Sequence, residues 1–218
     1  MNKVLVIAVH PDDETLGCGG TLLKHKDNGD EIHWLICTQT DPKEEFFKTR
    51  ESEIKKVFEQ YEFDSIHKLC LNSVHVDEYS MSELVEKISK VIQDIKPTIL
   101  YLPFKGDVHS DHRSIFQATY SCTKSFRYPY IKKIYMMEVL SETEFAPSTK
   151  EDSYIPNVFV DISEYIEKKI DIMKIYDSEI AEHPFPRSER NLRALATLRG
   201  ATAGCEFAES FILLKEIL

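Results

Sequence analysis

Unbroken apolar runs alternate along this chain with segments whose apolar residues recur at helical spacing, and no other feature restricts the fold so much. Residues 3–9 form the first run, as a strand buried on both faces of a parallel sheet does. Residues 15–28 carry Leu16, Leu22 and Leu23 at helical spacing and stop at Asn28-Gly29. Further strands are expected over 32–37, 66–71, 98–102 and 133–140. Between them lie helices over 44–60, 81–95 and 112–123, the second broken by Lys96-Pro97. This order predicts an α/β fold, a three-layer sandwich in which helices cover both faces of a mainly parallel sheet. Downstream the signal thins. Residues 141–156 read as a loop insertion rich in Ser, Thr, Glu and Pro, 158–161 as a short strand, and Ser163 as the cap of a helix reaching residue 178. A turn with two prolines covers 181–189, a helix 191–203, and 211–217 is a last strand or helix.

Length and charge narrow the function. With 218 residues the chain is expected to be one domain, 1–218, able to bury a full core without disulfides. Its formal net charge of -10 argues against nucleic acid or an anionic membrane as the main partner, because both need a basic footprint. A small-molecule substrate is expected instead. The five cysteines are scattered and odd in number, so neither a disulfide framework nor a cysteine-based zinc site is expected. Cys37 and Cys70 lie in apolar runs and read as buried thiols in a reducing compartment. The first apolar run is too short for a signal or membrane-spanning segment. A cytoplasmic protein with no membrane span is therefore expected, and a homo-oligomer stays open.

His10-Pro11-Asp12-Asp13-Glu14 follows the first strand directly. In open α/β sheets ligands bind outside the carboxyl ends of the strands, so an imidazole and three carboxylates stand where function is expected. Crowding them is electrostatically costly unless a cation lies among them, and a His nitrogen with an Asp oxygen suits Zn²⁺. Taken alone, the segment also reads as a solvated acidic turn in which Asp12 or Asp13 caps the next helix. A second cluster weighs against that. His109-Ser110-Asp111-His112 follows the fourth strand at the same edge of the sheet. His112 could complete a His-Asp-His set with His10 and Asp13, leaving a fourth position for water. His109 could face the same pocket without binding metal, and Asp111 could orient one of the imidazoles. Surface histidines beside a capping Asp111 are the plainer alternative, which two such segments at the ends of two central strands make the weaker one.

These motifs resemble those of the PIG-L family of zinc deacetylases, also called LmbE-like proteins. Members carry Ala or Val followed by His-Pro-Asp-Asp-Glu after strand one, and His-x-Asp-His further on. Val9 to Glu14 and His109 to His112 match them. The likeness extends to Leu16-Gly17-Cys18-Gly19-Gly20-Thr21, to Arg50-Glu51 at a helix opening, and to Arg199-Gly200, Gly204 and Ala208-Glu209-Ser210-Phe211 near the C-terminus. It thus spans most of the chain. Ser110 replaces the usual proline, Thr38-Gln39-Thr40 stands where many members have Thr-x-Gly, and Asp107 stands where some place a tyrosine. The resemblance implies a Rossmann-like sheet and Zn²⁺ held by His10, Asp13 and His112. It implies Asp12 as general base, His109 as the residue that stabilises or protonates the tetrahedral intermediate, and Arg50 as a holder of sugar hydroxyls or an anionic aglycone. It also implies hydrolysis of the N-acetyl group of an amino-sugar conjugate, typically N-acetylglucosamine linked to lipid, inositol, nucleotide or malate. The same centre acting on another small acylated amine is the alternative. A non-catalytic sugar- or nucleotide-binding module is a third reading, against which Asp12 argues, since binding alone needs no base beside the metal.

The residue types suit the reaction: zinc polarises a poor electrophile, a carboxylate takes the water proton, and a cationic His109 would stabilise the oxyanion. Other candidates have plainer readings. Arg50 pairs as readily with Glu53 or Glu45, and Glu14 reads as a partner for its own loop. The Gly17, Gly19 and Gly20 cluster lets a helix approach the sheet. Residues 182–188 read as a loop joining two helices more than as a cleft wall. Arg190, Arg193 and Arg199 read as surface ion-pair partners, and His25, His33, His67, His75 and His183 as structural or surface residues.

Overall fold

The computed structural model describes residues 1–218. Seven strands form one sheet: β1 (Lys3–Ala8), β2 (Glu31–Gln39), β3 (Ser65–Asn72), β4 (Ile99–Leu102), β5 (Lys133–Met137), β6 (Val158–Asp161) and β7 (Ala208–Glu216). Their spatial order is β3-β2-β1-β4-β5-β7-β6. The first five run parallel, and β7 enters antiparallel between β5 and β6. Six helices accompany them: α1 (Asp13–Asp27), α2 (Phe46–Tyr61), α3 (Met81–Ile95), α4 (Ser110–Ser121), α5 (Ile166–Met173) and α6 (Glu189–Ala203).

β1 shows why the chain folds this way. Its side chains alternate between faces. Val4, Val6 and Ala8 join one core with Leu16 of α1, Ile54 and Val57 of α2, Ile172 of α5 and Leu192 of α6. Leu5, Ile7 and Val9 join the other with Leu84 and Ile88 of α3 and Ile115 of α4. A strand between two cores has no wet face, so it reads as an unbroken apolar run. The Rossmann-like three-layer architecture expected from the alternation is the one found.

β1 lies between β2 and β4, so the chain winds outward in one direction through β3 and in the other through β5. Connections diverge at such a switch point and leave a crevice at the carboxyl ends of the strands. Both motif segments, after β1 and after β4, open into it.

The C-terminal third departs more from expectation. The ambiguous 211–217 segment is β7, which begins at Ala208. β5 ends at Met137 rather than 140. Ser163 does not cap α5: its hydroxyl donates to Asp161 Oδ1 at 2.6 Å, and Tyr165 holds the cap position. Cys37 is buried, but Cys70 is exposed, because β3 is an edge strand. α1 is kinked at Cys18 (φ -148°). The kink frees the Gly20 and Thr21 N–H groups, which donate to the Glu209 carboxylate at 2.8 and 2.7 Å. Lys169 completes that junction, donating to Glu209 Oε1 at 2.7 Å and to the Leu16 carbonyl at 3.0 Å. A Cβ on Gly17 would lie 2.9 Å from the Cβ of Met137, so this glycine does permit the close approach of α1 to β5. No helix is long and apolar enough to cross a membrane.

Candidate metal centre

His10 sits on the turn between β1 and α1, Asp13 at the first position of α1, and His112 on the first turn of α4. Three donor atoms converge there. His112 Nε2 is 3.3 Å from Asp13 Oδ2 and 3.4 Å from His10 Nδ1, and the third side of the triangle, His10 Nδ1 to Asp13 Oδ2, is 3.9 Å. A tetrahedral zinc ion with bonds of about 2.0–2.2 Å sets its ligand atoms roughly 3.3–3.6 Å apart. Two sides match and the third is slightly open, so the residues fit the ion.

The remaining imidazole nitrogens are held by carboxylates. His10 Nε2 donates to Asp111 Oδ2 at 3.2 Å, and His112 Nδ1 donates to Asp107 Oδ2 at 2.9 Å. These bonds leave His10 Nδ1 and His112 Nε2 with their lone pairs in the triangle, the tautomers a metal needs. Asp111 is fixed in turn by the backbone N–H groups of Val74 and Val76, at 2.7 and 3.2 Å. Asp107 is fixed by the Thr143 hydroxyl at 2.7 Å. Asp111 therefore stands where the sequence placed it. The orienting contact of Asp107 was not foreseen.

The electrostatics favour a cation. Burial pushes the Asp13 carboxyl up, but His112 and His10 outweigh it and hold it well below the usual carboxylate range. Burial disfavours a charged His112, yet Asp13 and Asp107 raise its pKa well above that of an ordinary histidine. Three buried carboxylates, Asp13, Asp107 and Asp111, thus surround two rings.

Asp12 is buried and has φ 131°, a value unusual for a side-chain-bearing residue. Its N–H donates to Glu14 Oε2 at 3.1 Å, and its carbonyl accepts from the N–H groups of Thr15 and Leu16 at 2.9 Å each, which starts α1. Burial, then Asp13, Glu179 and Glu14, raise its pKa well above the carboxylate norm, against the pull of Arg187. Glu14 faces inward: the Thr15 and Tyr176 hydroxyls donate to Oε1 at 2.7 and 3.0 Å, and burial pushes its pKa up to about 7. It does belong to the loop's own structure.

His109 is the N-cap of α4, and its Nδ1 accepts the Asp111 N–H at 3.1 Å. Burial and the neighbouring His10 depress its pKa. Because Nδ1 accepts the Asp111 N–H, the proton of the neutral ring sits on Nε2. Its ring centroid is 4.6 Å from that of His10.

These residues open into a cleft of about 790 Å³ whose walls come from the segments after β1, β2, β3, β4 and β5. Val74, exposed with φ 67°, sits on its rim. Glu142 lines it, and burial pushes that carboxyl up to about 7. Arg50 also lines it but is buried and turned into the protein: it pairs with Glu179 and with Glu53 at 3.2 Å. Arg187, within the segment read as a plain loop, is a cleft residue too. Its position depends on how the α5–α6 connection folds back over the site, which no local pattern encodes. His75 lines the cleft mouth, while Arg193 and Arg199 are ion-paired away from the cleft, as expected.

Fold and site together define a class: Rossmann-like α/β proteins with a His-Asp-His cluster at the switch point of the sheet. The chain belongs to the PIG-L family, whose model, described as GlcNAc-PI de-N-acetylase, matches residues 5–123. A diacetylchitobiose deacetylase from Thermococcus kodakarensis is 28% identical over 222 residues, covering 96% of this chain and 82% of the relative. Among solved structures, the N,N'-diacetylchitobiose deacetylase of Pyrococcus horikoshii superposes with a TM-score of 0.78 at 22% identity, over 98% of this chain and 84% of that one. GalB, a 4-carboxy-2-hydroxymuconate hydratase from Pseudomonas putida, superposes with a TM-score of 0.76 at 15% identity, over 100% of this chain and 98% of that one. One fold thus hosts a deacetylase and a hydratase, and the reaction has to be read from the site.

Proposed function

We propose that this chain is a zinc-dependent hydrolase that removes the acetyl group from the nitrogen of an amino-sugar conjugate. The observation that carries the reading is the triangle of His10 Nδ1, Asp13 Oδ2 and His112 Nε2, with sides of 3.9, 3.3 and 3.4 Å, opening into a cleft beside Asp12. Zinc bound there supplies Lewis acidity toward the acetyl carbonyl and the attacking water. Asp12 takes a proton from that water, and its burial, with the carboxylates around it, makes it a stronger base than an exposed aspartate. His109 donates its Nε2 proton in a hydrogen bond to the carbonyl oxygen as negative charge develops there. The departing amine takes from Asp12 the proton that the water gave up.

The cleft supports a sugar over an apolar acylated amine: of its 22 lining residues only three are hydrophobic. The relation to the Thermococcus diacetylchitobiose deacetylase supports it as well. The whole of residues 1–218 is the working unit on this reading, because β7 from the C-terminal end is inserted in the sheet that carries the motifs.

The test is metal content together with acetate release from N-acetylglucosamine glycosides. Wild type is expected to hold about one zinc per chain and to release acetate, and His112→Ala to lose both. Full zinc in His112→Ala would remove the ligand assignment; no acetate from the zinc-loaded wild type would remove the reaction.

A further inference from the structure

Two arginines line the cleft, and a single carboxylate engages both. Arg50 reaches in from α2 between Phe46 and Tyr176, its guanidinium carbon 5.0 and 5.3 Å from the ring centroids. Its Nη2 donates to Glu179 Oε1 and, at 3.2 Å, to Ser178 Oγ. Each nitrogen of Arg187 is engaged once: Nε donates to the Glu179 carbonyl at 2.8 Å, Nη2 to Glu179 Oε2 at 2.9 Å, and Nη1 to Ser141 Oγ at 2.8 Å. No lysine and no other arginine faces the cleft, whereas Asp12, Asp13, Asp41, Glu44 and Glu142 line it together with Glu179.

We propose that Glu179 is a specificity-determining residue that restricts the cleft to amino-sugar conjugates whose aglycone carries no negative charge. The inference rests on the deacetylase reading and deepens it. An arginine attracts a phosphate or carboxylate through open donors. Here Arg50 is paired with Glu179 and Glu53 and Arg187 with Glu179, and an anionic aglycone would have to break the pairs to Glu179 and then lie against the carboxylate it displaced. A neutral sugar meets no such repulsion and needs only hydroxyl partners, which Gln39, Asn72 and Ser73 on the cleft wall offer. Selectivity of this kind comes from a built-in repulsion rather than from an added attraction.

The experiment uses the zinc-loaded full chain and two matched substrates, benzyl N-acetylglucosaminide and its 4-carboxybenzyl analogue. kcat/KM is expected to favour the benzyl glycoside by on the order of 30-fold, the effect of one unit charge near another in a partly solvated cleft. That ratio is expected to shrink as salt rises. Glu179→Gln, which keeps shape and removes the charge, is expected to move the ratio toward one by tenfold or so, whatever it does to either rate alone. The nearby Asp12 feels the same substitution with both substrates, so its contribution cancels in the ratio. A wild type that treats the two alike or prefers the carboxylate overturns the proposal, as does a Glu179→Gln variant that slows both in parallel. If neither glycoside is hydrolysed, the deacetylase reading fails, and calorimetric binding of the two deacetylated glycosides then gives the same discrimination ratio directly. Should Glu179→Gln not fold, the salt dependence of the wild-type ratio decides, and a salt-independent ratio overturns the proposal.

Discussion

Asp107 offers a test of how the centre is held together. It is fully buried, accepting the His112 Nδ1 proton at 2.9 Å and the Thr143 hydroxyl at 2.7 Å. Asp107→Ala leaves a buried imidazole N–H without a partner, at a cost of about 1–3 kcal/mol, and frees the ring to turn away from the triangle. Asp107→Asn is milder. Its carbonyl oxygen accepts from His112, and its amide donates to a Thr143 hydroxyl that has rotated, so the bonds survive and only the charge is lost. Loss of such an orienting carboxylate typically weakens metal binding by about 10–100-fold, or roughly 1.4–2.7 kcal/mol. Zinc affinity is expected to fall in the order wild type, Asp107→Asn, Asp107→Ala, measured by competition against a chromophoric chelator. The zinc-induced gain in unfolding free energy is expected to shrink by the same amounts at fixed free zinc. An Asp107→Ala variant with wild-type zinc affinity would refute the reasoning, and His112 would then need no orienting partner.

Other expectations follow from the same structure. Burial raises Glu142 from the usual glutamate value to about 7, so between those pH values the folded protein binds a proton that the unfolded chain has released. The stability this contributes is complete below the unfolded value and lost as pH rises through about 7. With a chelator present, the wild type is therefore expected to lose about 1–3 kcal/mol relative to Glu142→Gln between pH 4.5 and 8, allowing for partial solvent access; parallel urea-derived stability curves for the two would contradict this. Lys169 neutralises Glu209 at the α1 kink at 2.7 Å, and both are buried. Lys169→Met is expected to cost about 3–5 kcal/mol by leaving a buried carboxylate uncompensated, and an unchanged Tm would show that the Gly20 and Thr21 N–H groups suffice for Glu209.

Sequence disclosed the parts of this molecule that local patterns encode. β1, β2 and β4 were legible because each is buried on both faces, β3 by its apolar run alone, and α2 and α3 because their buried residues recur at helical spacing. His10, Asp13 and His112 were legible because two short motifs each end a central strand, and parallel winding brings such ends together. Asp111 was legible as an orienting group, though only the structure shows that it holds His10 and not His112. Asp107 stood in plain view, but its role depends on Thr143 and the buried face of His112. Glu179 and Arg187 were illegible, since their pairing with Arg50 and Ser141 spans 129 and 46 positions and depends on the α5–α6 connection folding over the cleft. Cys70 was misread because an apolar run does not reveal that its strand lies at the sheet edge.

The central claim, that Asp12 drives hydrolysis of an N-acetyl amide at this metal centre, is tested most directly by acetate release from N,N'-diacetylchitobiose by zinc-loaded wild type and Asp12→Asn at equal metal content. Asparagine is the right probe, because it keeps the size of the side chain and tolerates the positive φ of 131° better than alanine. The wild type is expected to free one acetate per amine, and the variant to retain zinc while kcat falls by roughly 10²-fold or more. KM should move far less, since the lost interaction belongs to the transition state. Near-wild-type turnover by zinc-loaded Asp12→Asn would contradict the account and leave Asp12 with a structural role only.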